Sequence, residues 1–324
     1  MRNRARSLWL PVSVVALLLA SAASAVTMDW TSVGEPGNAC DPQSQGCFGA
    51  VSYSYNIGTY EVTNAQYAEL LNAKAASDPL GLYNTRMGFP AASNYGGIAR
   101  SGSSGSYTYS AIAGREDMPV NYVSFFDALR FANWLNNGQG NGDTETGAYT
   151  LLGGTALPSN YTTVARNAGA AIFLTSEDEW YKAAYYDPAT AGYFDYPAGS
   201  NAQTTCAAPT ATANRANCNN IAGDLTNGGS YTGSASPYGT FDQGGNVLEW
   251  NETVNFDNSR GIRGGDFFDP GSLGASDRSS LGPDREFGVL GFRVASIPEP
   301  STGLLLMMGL LGLACRQRRH GLAA

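Results

Sequence analysis

A chain of 324 residues with a formal charge of −8, an isoelectric point near 4.7 and 40 glycines is too acidic to embrace nucleic acid or an anionic lipid surface. It is also too rich in glycine to be built mainly from long helices. The single histidine, His320, lies close to the C-terminus, which excludes a Ser-His-Asp triad, a histidine base and a histidine-held metal from the body of the chain.

In chain order, Arg2, Arg4 and Arg6 lead into an apolar run from Leu8 to Ala20, broken at Pro11 and closed by Ala23-Ser24-Ala25. This order of charged, apolar and small residues predicts a secretory signal peptide over residues 1–25, cleaved after Ala25. Residues 26–297 follow as one domain, since no internal repeat or compositional break divides them. Six of the 19 basic residues are arginines of the two ends, so this body is more acidic than the whole chain. Residues 26–50 read as an extended lead-in with a turn at Gly34-Glu35-Pro36-Gly37, and the alternation from Val51 to Tyr60 predicts strands. Thr63 caps a helix with Tyr67, Leu70 and Leu71 on one face. Residues 75–115, rich in Gly, Ser, Asn and Tyr, read as loop. Ser124, with Asp127 three residues on, opens a second helix whose apolar face runs Phe126, Leu129, Phe131, Trp134, Leu135. Asn136 to Pro158 reads as loop with a hairpin, and Ser176 starts a third helix, Glu177 to Tyr185, stopped by Asp187-Pro188. The glycine- and asparagine-rich stretch 190–245 needs a metal or a disulfide to stay ordered, and Val247 to Ala295 returns to short strands.

The five cysteines include Cys315 near the C-terminus and four in the body. In an exported chain these four read as two disulfides. Of the three possible connectivities the local one, Cys40 with Cys47 and Cys206 with Cys218, staples one irregular loop with each bond. Neither spacing suits zinc.

At the far end, Pro298-Glu299-Pro300-Ser301-Thr302 precedes an apolar run from Gly303 to Cys315 and then Arg316, Arg318 and Arg319. A short apolar segment capped by cations halts in a membrane with its basic end inside, although this one falls short of the ~20 residues a full span needs. The segment 298–324 resembles the Pro-Glu-Pro C-terminal (PEP-CTERM) sorting signal that exosortase-type proteases recognise and remove. The resemblance implies transient membrane association through the tail and a mature protein at the cell surface or beyond it. A retained single-span anchor is the alternative.

Six segments of the body stand out in order. They are Tyr60-Glu61-Val62-Thr63-Asn64-Ala65-Gln66-Tyr67; Pro119-Val120-Asn121-Tyr122-Val123-Ser124-Phe125-Phe126-Asp127-Ala128; Leu174-Thr175-Ser176-Glu177-Asp178-Glu179-Trp180 with Ala183-Ala184; Ser236-Pro237-Tyr238-Gly239-Thr240-Phe241-Asp242 running into Gly245-Asn246-Val247-Leu248-Glu249-Trp250; Arg263-Gly264-Gly265; and Gly291-Phe292-Arg293-Val294-Ala295. In this order they resemble the landmarks of the formylglycine-generating-enzyme (sulfatase-modifying factor) family. The resemblance implies an α+β fold related to C-type lectins, with short twisted strands, few helices and much irregular chain. It also implies structural calcium, with side-chain oxygens from Asp242 and Glu249 and carbonyls from Gly245 and Val247, and Asn217 and Asp224 as candidates for a second site. The physical reading agrees in kind, since the Gly-Asn-Val-Leu-Glu-Trp turn brings together the hard oxygen donors that calcium takes. The competing reading makes Glu249 a capping or salt-bridge residue, Arg293 an ion-pair partner, and Trp180 and Trp250 core aromatics. Glu177 and Glu179 then face the helix dipole.

The family's oxidases hold copper through two cysteines just beyond the Gly-Gly landmark, as soft Cu(I) requires. Here that segment is Asp266-Phe267-Phe268-Asp269-Pro270-Gly271-Ser272-Leu273-Gly274, without a cysteine. Iron-dependent relatives need histidines, and the body has none, so neither copper nor iron is expected. Asp266 with Asp269 is the remaining acid–base pair, a weak signal in so acidic a chain. The sequence therefore predicts a non-catalytic or diverged, calcium-stabilised scaffold that binds exopolysaccharide or a surface protein, a role that Tyr and Asn enrichment suits. The alternative is a formylglycine-type oxidoreductase or other protein-modifying enzyme with non-standard active-site residues.

Overall fold

Two four-stranded sheets and three α-helices carry most of the regular structure in the computed structural model, which describes residues 25–90, 95–255 and 257–298. The predicted signal peptide up to Ser24 and the sorting tail from Glu299 lie outside the described residues. The strands of the two sheets are β1 (Trp30–Val33), β2 (Tyr55–Gly58), β3 (Ile172–Leu174), β4 (Leu248–Val254), β5 (Arg260–Arg263), β6 (Ser279–Leu281), β7 (Leu290–Gly291) and β8 (Val294–Ser296). The first sheet has the order β1-β2-β8-β3 and is antiparallel throughout. The second runs β6-β5-β4-β7, with β7 parallel to β4 and an irregular register between Trp250 and Val254. The last strand, β8, thus lies inside the first sheet, hydrogen-bonded on both sides.

The helices are α1 (Asn64–Lys74), α2 (Phe125–Asn136) and α3 (Glu177–Tyr185). Each opens with a reciprocal capping box, Thr63 with Gln66, Ser124 with Asp127 and Ser176 with Glu179, which satisfies two backbone donors at each start. Helix α2 is buried from Phe125 to Leu135. Its Phe131 packs on Tyr67 of α1 and on Phe292, with ring centroids 6.0 and 5.5 Å apart, and its Phe125 meets Trp250 of β4 at 6.0 Å. Burial of each such ring contributes roughly 1.5–3 kcal/mol, so α2 joins the first sheet to the second through one core.

The three predicted helices are present where their caps place them. The strand signal from Val51 to Tyr60 shortens to Tyr55–Gly58. The stretch 75–115 is not all loop, because Ile98–Ser101 pairs with Thr108–Ala111. Each of these strands buries a single large apolar residue, Ile98 or Tyr109, too little to register as alternation. No hairpin forms within 136–158. Instead Asn133 of α2 holds that loop, its side chain bonding both the N–H and the C=O of Tyr149 and the C=O of Thr144. Both local disulfides form: Cys40–Cys47 spans the ladder of Asp41–Gln43 with Gly46–Phe48, and Cys206–Cys218 closes off the short parallel pair Thr205–Cys206 and Arg215–Ala216. Their Cα separations, 5.4 and 4.9 Å, suit the bond.

Candidate functional site

The chain from Thr240 to Trp250 enters β4 through a turn that only certain residues can make. Asp242 and Asn246 adopt left-handed backbone conformations (φ 59° and 61°), which short side chains with local hydrogen bonds tolerate best. At Gly245 (φ 89°) a Cβ would stand 2.3 Å from the Asn217 carbonyl oxygen, so no other residue fits. Asn246 is fully buried and bonded in every direction. Its amide N–H donates to Asn217 O at 2.9 Å, its Oδ1 accepts from Thr226 N at 3.0 Å, and its Nδ2 donates to Glu61 Oε1 at 3.2 Å. Val247 points into a small core with Leu225 and Phe267.

Glu249 lies beyond the turn with no exposed surface. Arg293 Nε and Nη2 donate to its two oxygens at 2.6 Å each, and the Trp180 indole N–H donates to Oε2 at 2.8 Å. Three carboxylates, Glu61, Asp242 and Glu249, thus surround one guanidinium. Burial, then the neighbouring Asp242, pushes the Glu61 carboxyl well above the ordinary range. Burial likewise lifts Asp242 to about 6 against a hydrogen bond from Gly229 N.

These positions decide how well the predicted calcium donors fit. Glu249 and Asp224 fit poorly: the first is fully engaged by Arg293, and the second accepts from both Nη1 and Nη2 of Arg115, at 2.6 and 2.8 Å. A guanidinium stands beside each carboxylate where a metal cation would. Asn217 Oδ1 is buried without a partner, and Asp242 has no arginine bonded to it, so these two remain open to a cation. Among the described residues, no group of three or more His, Cys, Asp or Glu is arranged to hold a metal ion.

Beyond Gly264 and Gly265, both in left-handed conformations (φ 101° and 68°), a groove of about 230 Å³ is lined by residues that include Leu248, Arg263, Ser272, Asp277 and Arg278. Glu177 at the start of α3 pairs with both arginines, Arg263 Nε and Arg278 Nε each donating to its Oε1 at 2.8 and 2.7 Å. Glu177 is therefore an ion-pair residue as well as a helix-start acid, and Glu179 is paired in the same way by Arg166 at 2.7 Å. The candidate acid–base pair Asp266 and Asp269 is committed to the loop's own backbone. Asp266 Oδ1 accepts from Phe268 N and Asp269 N, and Asp269 Oδ1 accepts from Gly271 N and Ser272 N. Burial raises the Asp266 carboxyl above its ordinary value, whereas at Asp269 burial is outweighed by the hydrogen bonds from Ser272 and Gly271, which hold it below.

Sequence reasoning missed the roles of Glu61, Asn246 and Arg115. Glu61 carried a signal, a lone acid between Tyr60 and Val62 immediately before a helix cap. Trp180 and Trp250 are core aromatics with no exposure above 0 %.

A model of the sulfatase-modifying factor enzyme 1-like domain matches residues 42–297, and one of the PEP-CTERM protein-sorting motif matches residues 296–319. Treponema denticola variable protein 1 superposes with a TM-score of 0.55, covering 86% of this chain and 98% of its own at 18% identity. CarF gives 0.56, covering 84% of this chain and 99% of its own at 20% identity. At such identities the likeness is one of fold, and it agrees with the expected α+β architecture of few helices and much irregular chain. Among curated proteins, no sequence match was found.

Proposed function

The chain belongs to the sulfatase-modifying factor enzyme 1-like family, and on that premise we propose that it is a non-catalytic member acting as a binding scaffold at the cell surface or in the extracellular matrix, with exopolysaccharide or a surface protein as its ligand. Its PEP-CTERM motif marks it for export to the bacterial envelope or surface and for sorting by an exosortase-type protease.

The observation that carries this reading is the loop after Gly265. It offers no thiolate or imidazole, and its two carboxylates are bonded to backbone N–H groups of the same loop. Elemental analysis of the purified exported protein tests it. No stoichiometric copper or iron is expected, and either metal at one per chain overturns the non-catalytic reading. Retention of purified exopolysaccharide on the immobilised domain is the positive arm. Calcium enters the proposal as a structural cation at Asp242 and, for the candidate second site, at Asn217, the predicted side-chain donors to which no arginine is hydrogen-bonded. A melting temperature that falls on chelation supports it, and an unchanged curve removes calcium from the reading.

A further inference from the structure

Away from the groove beyond Gly265, an open cleft of about 290 Å³ lies between the 3-10 turn Thr85–Gly88 and the strand Ile98–Ser101, which supplies Arg100 to its wall. Its size sits at the low end of the roughly 300–1,000 Å³ of small-molecule sites. The Arg100 guanidinium stands 4.7 Å from the centre of the Tyr83 ring and 4.3 Å from that of Tyr107. The rings behind it are fixed in turn. Tyr83 Oη donates to Ile98 O at 3.0 Å, Tyr109 Oη donates to Ala75 O at 2.8 Å, and the Tyr83 and Tyr109 rings pack at 5.2 Å. Stacking on rings orients a guanidinium through its face and leaves the N–H fork on its edge for a ligand.

No carboxylate among the described residues pairs with Arg100, whereas Arg115, Arg130, Arg166, Arg263, Arg278 and Arg293 each have one. The acids bonded to the segment before the turn are committed elsewhere. Asp78 accepts from Leu82 N and Tyr83 N at 2.8 and 3.1 Å, and Glu286 accepts from the Asn84 amide. In a chain whose acids outnumber its bases, 27 to 19, this cation is oriented and left without a counter-charge.

Phe89 lines the same cleft at 57 % exposure, the highest among the large apolar side chains of the described residues. It is not a loose tip, since its N–H donates to Arg86 O at 3.1 Å and its C=O accepts from Gly96 N at 3.0 Å. Gly88 lets this turn close on the rings, because a Cβ there would stand 2.8 Å from Tyr83 Oη. A single exposed ring carries no message by itself. Placed in one concave wall with an unpaired guanidinium, it joins an apolar face to a fork that fits one carboxylate. That combination matches a sugar ring bearing a single acid group. A densely charged phosphate polymer fits worse, since one arginine would meet it on a chain that repels polyanions, and a small free anion would leave Phe89 unused.

We infer that this cleft binds a uronate unit of an acidic polysaccharide, with the sugar carboxylate on Arg100 and the C–H face of the ring on Phe89. The inference rests on the scaffold reading above and names the chemical class of its ligand.

Calorimetric titration of the exported protein with methyl glucuronide, methyl glucoside, sodium acetate and a glucuronate oligomer tests it. The glucuronide should bind about tenfold or more tightly than the glucoside, as a hydrogen bond to a charged group allows, and acetate more weakly than either sugar acid. The oligomer should bind at least as tightly as the single unit, because the cleft is open. Arg100→Gln should abolish the preference for the acid, and Arg100→Lys, which keeps the charge and loses the fork, should restore only part of it. Phe89→Ala should weaken both glycosides alike by about three- to tenfold with an unchanged melting temperature, so the test survives if the Arg100 variants fold poorly. Arg285→Gln removes one positive charge outside the cleft and should change nothing. Equal binding of the two glycosides, acetate matching the glucuronide, or glucuronide binding unaltered in Phe89→Ala would each overturn the assignment. Retention of a neutral exopolysaccharide without preference for the acid would overturn it and leave the scaffold reading standing, whereas copper or iron in the groove would overturn the non-catalytic reading and leave the selectivity of Arg100 in place.

Discussion

Arg293 and Glu249 illustrate how much one pair of residues decides. Both are fully buried, and removing one member of such a pair leaves an uncompensated charge in the core, at a cost of about 3–5 kcal/mol. Arg293→Met should therefore destabilise the domain by about that amount in urea denaturation, and adding Glu249→Gln should restore part of the loss, giving a non-additive cycle. Additive losses would mean that Glu249 has another cation as its true counterpart. A second expectation concerns pH. Burial, and then Asp127, pushes Glu286 up to about 7 from an ordinary 4.5. Between those values the folded state holds a proton that the unfolded chain has shed, so stability falls as pH rises through the window. Glu286→Gln should shrink the drop in melting temperature between pH 5 and pH 8, and an undiminished drop would assign the slope elsewhere. Glu177 and Glu179 are held below their ordinary value and act only in more acid solution. At this scale the sequence disclosed identities but not pairings. The ion-pair alternative for Glu249 was readable, yet its partner stands 44 residues away, and Asp224's attachment to Arg115 crosses 109.

Helices were the most legible elements, because a capping box is a local device: Ser124 and Asp127 announce α2 within four residues. Strands were less so. The ladder of Ile98–Ser101 with Thr108–Ala111 has one buried anchor per strand, and the loop near Tyr149 is organised by a side chain, Asn133, instead of by a ladder. The stretch 190–245 was recognised as needing reinforcement, and Cys206–Cys218 supplies it. Closing a loop of that length removes about 3 kcal/mol of unfolded-state freedom. The Cys206→Ser/Cys218→Ser variant should lose about that much stability, with amide exchange accelerating first in 200–235. Uniform acceleration across the domain would instead make the disulfide part of the global unfolding unit.

For the whole molecule, composition, landmarks and chain ends sufficed to assign the family and the sorting tail, whereas the sheet order could not be read, because β1, β2, β3 and β8 come from residues 30 to 296. Its most consequential entry is β8, which pairs with β2 on one side and β3 on the other. Truncation after Arg293 should leave the first sheet open and prevent cooperative unfolding, whereas truncation after Ile297 should leave the melting temperature unchanged. A folded product from the shorter chain would show that β1, β2 and β3 close without β8. Only Ile297 separates β8 from Pro298, the first residue of the Pro-Glu-Pro run of the sorting motif. During secretion, then, the sheet cannot be completed until the chain has crossed as far as Ser296, next to that run. A pull applied from the C-terminal side of the domain would act along a strand flanked by two ladders, so the load is shared in shear and does not peel a single edge.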